Sequence, residues 1–240
     1  MIMLRSALFN AVFFLTTFLY ILAATIVRLI SPPRVMAMAV AWAHTLVFAA
    51  RIICGIRVDV TGLDRIPPGA ALISSRHQSA FDTFVWLTLV PRCCYVLKQE
   101  LMRIPLFGGL ITAAGMIPID RDGGASAIRM LLRESDRAVR QGMQIVIFPE
   151  GTRSEPGKPG AMQSGILALA TRTGLPIIPV ATDSGCCWGR RAFRKTPGTI
   201  HIVIGRPLSP TADRPALARA LEQAMGALDD RRELDTARMV

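Results

Sequence analysis

The sequence contains a histidine and an aspartate five positions apart, in the segment His77-Gln-Ser-Ala-Phe-Asp82. A neutral imidazole accepts the proton of an alcohol while the alcohol attacks an acyl carbonyl, provided that a second group fixes the tautomer of the ring. Asp82 is the candidate for that second group. The pair therefore indicates activation of a hydroxyl group, and a solvated loop histidine is the alternative that the same spacing allows.

The elements around this pair decide whether the two side chains can meet. Residues on a helix face each other when they lie three or four positions apart, so a spacing of five requires a turn between them. The run 71–75 predicts a strand that ends in serines, and the apolar run 81–89, stopped by Pro91, predicts a helix. We therefore expect His77 in the turn before the helix and Asp82 in its first turn.

Two other blocks place an arginine just after a predicted strand. They are Phe148-Pro-Glu-Gly-Thr-Arg-Ser154 and Gly115-Met-Ile-Pro-Ile-Asp-Arg121. Ligands of open α/β folds bind at the carboxyl ends of the strands, and a planar guanidinium group matches the oxygens of a phosphate. Arg121 and Arg153 therefore predict a clamp for a phosphomonoester. The alternative for each is a surface ion pair with a nearby carboxylate of Asp120, Asp122 or Glu155.

Short β-branched runs alternate with helical patterns from about residue 57 onward. The predicted strands are 58–61, 71–75, 93–97, 116–119, 144–148, 177–181 and 200–204. Between them, apolar residues at helical spacing such as Ile128, Leu131 and Leu132 predict packed helices, and 211–228 predicts a terminal helix. The fold class is α/β, with a mixed, largely parallel sheet flanked by helices and preceded by an N-terminal membrane-associated helical segment.

The first part of the chain is apolar enough to meet lipid. The 240 residues are 51% hydrophobic, with a mean hydropathy of +0.40. The uncharged run 7–27 is long enough to cross a hydrocarbon core of about 30 Å. The second run, 35–50, is too short to span comfortably, so a spanning helix with an interfacial partner and a hairpin within one leaflet are both open. A signal peptide is disfavoured because its apolar part is only about 7–15 residues long.

The charge balance limits the classes of partner that the protein can bind, and the cysteines indicate its redox compartment. A net charge of +11 attracts polyanions, and the apolar segment favours lipid over nucleic acid. The mixed aromatic and basic cluster 188–195 suits a headgroup layer, or else a solvated basic loop. The five cysteines form no C-x-x-C metal or disulfide spacing, so we expect reduced thiols and a domain on the cytoplasmic side.

Taken together and in order, these blocks resemble the glycerolipid acyltransferase family, with the closest likeness to its 1-acyl-glycerol-3-phosphate acyltransferases. The likeness covers about residues 55–210. It rests on the blocks 75–82, 98–101 with Ile104-Pro105 and Phe107-Gly108, 115–121, 148–154 and 175–180. One residue departs from the family pattern, because Arg76 stands where the family commonly has Asn. Arg76 either alters headgroup preference or replaces a turn contact.

The resemblance implies a role for each site residue. His77 would be the general base, Asp82 its orienting partner, and Arg121 and Arg153 the groups that hold the acceptor phosphate. Lys98 would be a secondary phosphate contact. The remaining implied residues are Glu150, Gly151 and Thr152, which would shape the acceptor site, and Pro179 with its apolar neighbours, which would line or support the acyl side.

The same resemblance implies the reaction. The hydroxyl would attack the thioester directly, with no metal, no cofactor and no covalent acyl-enzyme. Backbone amides at the start of the helix after His77 are the hypothesis for the oxyanion donors. The donor would be acyl-ACP or acyl-CoA, the acceptor lysophosphatidate, the product phosphatidate, and the location the cytoplasmic side of the inner membrane. The expected organisation is an anchor at 1–55, an acyltransferase domain at 56–228 and a charged tail at 229–240.

Three other functions stay open at this stage. One is acyl transfer to another lyso-lipid, such as a lyso-ornithine lipid or a lysophospholipid. Another is a non-catalytic membrane protein that binds anionic lipid, although binding of phosphate requires neither His77 nor Asp82. Hydrolysis of a thioester is disfavoured because the sequence has no Gly-x-Ser-x-Gly elbow.

Overall fold

A computed structural model describes residues 1–121, 123–211 and 213–237, with side chains described up to residue 230. The helices are α1 Ile2–Ile30, α2 Val35–Ala49, α3 Asp82–Leu89, α4 Phe107–Ala113, α5 Gly124–Arg140, α6 Gly165–Thr173, α7 Ser184–Cys187 and α8 Arg214–Ala237. The strands are β1 Ile56–Thr61, β2 Ala71–Ser75, β3 Cys93–Lys98, β4 Ile117–Ile119, β5 Gln144–Ile147, β6 Ile177–Thr182 and β7 Gly198–Ile204. All seven predicted strands are confirmed, each within two residues at either end.

The strands form one sheet in the order β1-β7-β6-β2-β5-β3-β4. Every neighbouring pair is parallel except β6 and β7, so the prediction of a mixed, largely parallel sheet is confirmed. The central strands β2 and β5 are buried along their whole length. Such strands read as continuous apolar runs because helices cover both faces of a parallel sheet.

Successive residues of a strand point to opposite faces, and the two faces carry separate cores. On one face, Leu72 and Ile145 pack with residues of α5, α6 and α8. On the other face, Ile73 and Val146 belong to a cluster that includes residues of α1, α2 and α3. The N-terminal helices therefore pack on the same core as the sheet.

The terminal helix begins later and runs further than its apolar spacing predicts. The carboxylate of Asp213 accepts a hydrogen bond from the Ala216 amide at 3.0 Å, as an N-cap residue does, which explains a start at Arg214 instead of residue 211. The helix continues to Ala237, so residues 229–237 of the expected tail are helical. Residues 238–240 of that tail lie outside the described residues.

The two N-terminal helices contact each other through polar side chains within their apolar surfaces. The hydroxyl groups of Tyr20 and Thr45 lie 3.0 Å apart, and the Trp42 indole donates to the Thr17 hydroxyl at 3.1 Å. By length and composition both helices qualify as candidate membrane spans, Ile2–Ile30 and Pro32–Cys54. The expectation that the second is too short is wrong, because helical turns extend it at both ends to 23 residues.

Candidate active site

Three of the predicted site residues come from the carboxyl ends of parallel strands. His77 follows β2, Arg153 follows the neighbouring β5, and Arg121 follows β4 at the edge of the sheet. Because parallel strands end at the same edge, the fold brings the three side chains towards one cavity.

His77 and Asp82 meet as the spacing predicts, with His77 before the helix and Asp82 as the first residue of α3. The Nδ1 atom of His77 lies 3.1 Å from Oδ2 of Asp82. Both side chains are almost fully buried. A carboxylate accepts from a protonated Nδ1, and this tautomer leaves Nε2 unprotonated as the acceptor for a substrate proton.

The same carboxylate oxygen also closes the turn between the two residues. The backbone amides of Gln78 and Ser79 each donate to Asp82 Oδ2 at 2.8 Å, and the Phe81 amide donates to the Ser79 hydroxyl at 3.1 Å. These amides are therefore already paired. The amides of Gln78 and Ser79 are therefore not free to hold the oxyanion, and the broader hypothesis of oxyanion donors around the start of α3 stays a prediction.

The histidine turn is joined directly to the block that carries Arg153. The His77 ring stacks on Phe148, with ring centroids 4.1 Å apart and planes 17° apart. The amide of Ser154 donates to the His77 carbonyl oxygen at 2.8 Å. Phe148 and Ser154 are the two ends of the quoted block, but the residue pattern alone gave no reason to assign them these contacts.

A cavity of about 550 Å³ opens beside the imidazole. Its polar side is formed by residues that the sequence predicts and by two that it does not, namely His77, Lys98, Arg121, Thr152, Arg153, Arg190 and Arg191. The rest of its wall is mostly apolar and comes from α1, α2, β3 and α4, including Ala24, Met38, Ala39, Trp42, Leu110 and Ile111. The cavity therefore has a cationic part next to the His77 imidazole and an apolar part against the N-terminal helices.

The predicted arginines lie in this cationic part. The guanidinium group of Arg121 donates to the Gly151 carbonyl oxygen, which ties the two arginine-bearing blocks together. Partial burial lowers the pKa of Arg121, and nearby Glu100 opposes that effect. Arg121 therefore supports the loop and lines the cavity at the same time.

Arg153 lies among charges of both signs. Partial burial is the largest effect that lowers its pKa, the carboxylate of Asp82 raises it, and the positive charges of Arg190 and Arg191 lower it further. This crowding of cations favours an anionic ligand, since an anion relieves the repulsion between them.

Arg190 and Arg191 belong to the cluster 188–195, for which the sequence predicts a headgroup-facing or solvated loop. Two members of that cluster are buried instead. Lys195 is 2% exposed, donates to Asn10 Oδ1 of α1 and to the Phe193 carbonyl oxygen at 2.9 Å, and lies 4.7 Å from the Trp188 ring. Burial lowers the pKa of Lys195. The loop that carries the two arginines is thus fixed to α1.

The remaining predicted residues occupy different positions. Lys98 lines the cavity, but its ammonium group lies 2.7 Å from Glu100 Oε1 at the surface. Thr152 lines the cavity, whereas Glu150 and Gly151 do not. Gly151 adopts φ +67, which glycine tolerates without strain, and presents its carbonyl oxygen to Arg121.

Glu150 and Arg76 both face away from the cavity. Glu150 is buried and accepts from the Gly160 amide at 3.2 Å. Arg76 contacts Asp229 of α8, so it does not act on a headgroup within this cavity. Pro179 lies within β6, where its carbonyl oxygen accepts from Gly205, and it does not line the cavity either. Among the described residues, no group of three or more His, Cys, Asp or Glu side chains is placed to hold a metal ion.

The chain is similar in sequence to known acyltransferases. The Acyltransferase family model matches residues 57–183. The chain is 35% identical over 182 residues to the 1-acyl-sn-glycerol-3-phosphate acyltransferase of Pseudomonas aeruginosa, covering 76% of this chain and 71% of that protein. It is 31% identical over 188 residues to the mouse 1-acyl-sn-glycerol-3-phosphate acyltransferase alpha, covering 75% and 66%.

The fold is also similar to a solved structure. The crystal structure of the 1-acyl-sn-glycerophosphate acyltransferase of Thermotoga maritima superimposes with a TM-score of 0.76 and covers 97% of this chain and 98% of that one. The sequence identity is 21%, so this likeness concerns the fold. It extends over the N-terminal helices as well as the sheet.

Proposed function

The chain belongs to the acyltransferase family, and from this premise we propose that it moves a fatty acyl chain from a thioester to the free hydroxyl of 1-acyl-glycerol-3-phosphate, giving phosphatidate. The observation that carries the proposal is one cavity that His77 lines together with Arg121 and Arg153. A base for a hydroxyl and cations for a phosphate are the two things that this acceptor requires.

The chemical step follows from the His77–Asp82 pair. Nε2 takes the proton of the acceptor hydroxyl while the hydroxyl oxygen bonds to the thioester carbonyl carbon. The carbon–sulfur bond then breaks, and the leaving thiolate receives the proton from the imidazolium. Asp82 stabilises that imidazolium through Nδ1. A base in this position typically contributes about 10²- to 10⁴-fold, so the alignment of both substrates must supply much of the remainder.

The cationic part of the cavity fits the acceptor phosphate. Arg153 lies in the loop 148–154, and Arg121 follows β4 and donates to the Gly151 carbonyl oxygen of that loop; both arginines line the cavity. An arginine–phosphate contact is charge-assisted and directional, so it orients the glycerol as well as binding it. We expect the phosphate at these guanidinium groups and the free hydroxyl at the imidazole.

The apolar part of the cavity fits a fatty acyl chain. Ala24, Ala39 and Ile111 form part of its wall, and the volume of about 550 Å³ lies within the usual range for ligand pockets of about 300–1,000 Å³. An alkyl chain in this position is removed from water at about 0.8 kcal/mol per CH₂ group. The thioester carbonyl then lies between the apolar wall and His77.

The N-terminal helices suggest association with a membrane, and we propose that they lie within one leaflet. Large apolar side chains on one side of α1 are exposed, among them Leu4, Leu8, Leu15, Leu19, Leu22, Ile26 and Leu29. The other side packs on the catalytic part of the chain, where Phe9 meets Trp188 at 5.3 Å between ring centroids. A helix held along the protein surface in this way matches interfacial insertion better than a full crossing.

The donor is a CoA thioester or an acylated carrier protein, and the location is the cytoplasmic face of the inner membrane. None of the five cysteines forms a disulfide, which supports a reducing compartment. The basic rim formed by Arg190 and Arg191 supports contact with anionic groups at the membrane surface or on the donor.

A panel of acceptors tests the proposal. The purified full-length chain in lipid nanodiscs is supplied with labelled acyl-CoA or acyl carrier protein, together with lysophosphatidate, lysophosphatidylcholine, lysophosphatidylethanolamine or a lyso-ornithine lipid. Lysophosphatidate should give the highest kcat/KM. Preference for a zwitterionic or ornithine acceptor would replace the acceptor assignment, and free fatty acid in place of lipid product would indicate hydrolysis. Binding of anionic lipid with no transfer to any acceptor would support the non-catalytic alternative.

A further inference from the structure

Two consecutive residues of the histidine turn face two different cavities. His77 lines the cavity described above, whereas Arg76 lines a second cavity of about 220 Å³ between this turn, the loop after β5 and α8. The second cavity is bounded by polar and small residues, namely Arg76, Gln78, Ser154, Gly157, Pro159, Gly226, Asp229 and Asp230. Arg76 therefore lies behind the base and not beside the substrate.

The guanidinium group of Arg76 lies between two carboxylates. Its Nε and Nη2 atoms donate to Asp229 Oδ2 at 3.1 and 2.9 Å, and Nη1 lies 3.6 Å from Glu150 Oε1. Arg76 is 8% exposed and Glu150 is 5% exposed. Glu150 Oε1 is buried and accepts no hydrogen bond from the described residues, so the nearby guanidinium charge is what compensates it.

Each partner of Arg76 leads to the catalytic part of the molecule. Glu150 directly precedes Gly151, Thr152 and Arg153, and its Oε2 atom accepts from the Gly160 amide at 3.2 Å, which closes the base of that loop. Asp229 lies on α8, which packs against β6 beside β2. Arg76, which directly precedes the general base His77, thus connects the histidine turn to the base of the loop 148–154 and to α8.

We propose that Arg76, Glu150 and Asp229 form a clamp in which Arg76 acts as a positioning residue for both His77 and Arg153. The proposal rests on the function assigned above. The clamp fixes the histidine turn and the loop 148–154 relative to each other, so that the base and the phosphate cation have the separation that one acceptor molecule requires. Small displacements of catalytic groups strongly lower the reaction rate, by on the order of 100-fold for about 1 Å of misplacement.

Substitution of Asp229 gives the cleanest test because its side chain is partly exposed and lies outside the cavity. Asp229→Asn should lower kcat/KM for the acceptor about tenfold, through both kcat and KM. Arg76→Met should lower kcat/KM about 100-fold. Arg76→Lys should give a value between those of Arg76→Met and the wild type, because an ammonium group restores the charge but not the planar set of donors of a guanidinium group. Asp136→Asn is the matched control, since Asp136 pairs with Arg172 at 3.1 Å on an exposed surface.

Thermal unfolding of each variant separates positioning from stability. The proposal is overturned if Asp229→Asn and Arg76→Lys lower the melting temperature but keep wild-type kcat and KM at a temperature where both are folded. Should both Arg76 variants fail to fold, the result for Asp229→Asn decides. A loss in Asp136→Asn equal to that in Asp229→Asn would also overturn it.

A measurement without substrate keeps this proposal distinct from the assigned function. Nitrogen-15 labelling of the three histidines reports the ring environment of His77 by NMR in detergent micelles. Asp229→Asn should shift the His77 ring signals, and Asp136→Asn should leave them in place. If the wild type transfers acyl chains to no acceptor, the assigned function fails, and the NMR shift still decides whether the clamp positions His77. An unshifted His77 signal in Asp229→Asn would then overturn the clamp.

Discussion

The imidazole ring of His77 lies face to face with the phenyl ring of Phe148, with their centroids 4.1 Å apart. Asp82 contacts Nδ1 at the edge of the same imidazole. The hydrogen bond at the edge and the stacking on the face together fix the orientation of the ring. Phe148 begins the block that carries Arg153. One aromatic contact therefore fixes the proposed base relative to the block that carries the proposed phosphate ligand Arg153.

Replacement of His77 should lower the rate of acyl transfer strongly. We expect His77→Ala to lower kcat by about 10²- to 10⁴-fold, because no other group accepts the hydroxyl proton at that position. Transfer of labelled acyl chain by protein in nanodiscs gives kcat, and flotation with liposomes checks that membrane association is unchanged. His201→Ala is the control, since His201 pairs with Asp183 at 2.7 Å but does not line the cavity. Full turnover in His77→Ala would disprove the assignment of the base.

Removal of the charge of Asp82 should reduce the rate and leave acceptor binding nearly intact. Asp82→Asn retains an oxygen for the amides of Gln78 and Ser79 but does not stabilise the imidazolium. We expect kcat to fall by about 10²- to 10⁴-fold with little change in acceptor KM. Steady-state kinetics over a range of lysophosphatidate concentrations measures both. A variant with normal kcat and a raised KM would assign Asp82 to binding instead.

Arg153 should act mainly on the phosphate. Loss of a charge-assisted hydrogen bond costs about 1.5–3 kcal/mol, so Arg153→Ala should raise the KM for phosphorylated acceptors by about 10- to 100-fold. The KM for the thioester donor should change little. Arg133→Ala serves as the control, because Arg133 is exposed on α5 and pairs with Glu134 at 3.3 Å. An effect confined to the donor KM would refute the phosphate role.

Filling the apolar part of the cavity should change which acyl chains are accepted. Ala39 of α2 lines the cavity, whereas Ala37 of the same helix is exposed and does not. We expect Ala39→Phe to shift the preference towards shorter donors by about tenfold, because the phenyl ring occupies space that the end of a long chain needs. Competition between donors of different length in one assay gives the ratio. The same shift in Ala37→Phe would show that the cavity is not the chain site.

Burial should protect two thiols from alkylation. Burial raises the pKa of Cys94 to about 12 and that of Cys187 to about 11. The thiolate is the reactive form, so at pH 8 at most about one thiol in a thousand of either residue is reactive, and even at pH 9 the fraction stays at or below about one in a hundred. Iodoacetamide followed by peptide mass spectrometry should modify the exposed Cys186 much faster in the folded protein. Equal modification of all three before unfolding would contradict the buried positions.

The sheet and the core of the site were predictable because their signals are local. Buried parallel strands are continuous β-branched runs, and all seven were found within two residues of their ends. The meeting of His77 and Asp82 follows from one turn and one helix start. The convergence of Arg121 and Arg153 follows from the rule that parallel strands end at one edge.

Other features depend on contacts between distant parts of the chain. Arg76 and Asp229 are 153 positions apart, and nothing near either residue indicates their pairing. Arg190 and Arg191 reach the cavity because Lys195 fixes their loop to α1, a contact across 185 positions. Glu150 turns away from the cavity because Arg76 and the Gly160 amide lie on the other side. The amides after His77 are occupied because Asp82 accepts from them, which spacing alone does not reveal.

The N-terminal helices supply part of the wall of the cavity beside His77, through residues such as Thr17, Tyr20, Met38 and Trp42. Removal of the two helices would therefore open the cavity on one side and expose the apolar core residues that pack against them. The other side of α1 carries exposed large apolar residues. If the helices meet lipid as proposed, a change in the surrounding lipid would act on the same helices that shape the proposed acyl-chain site.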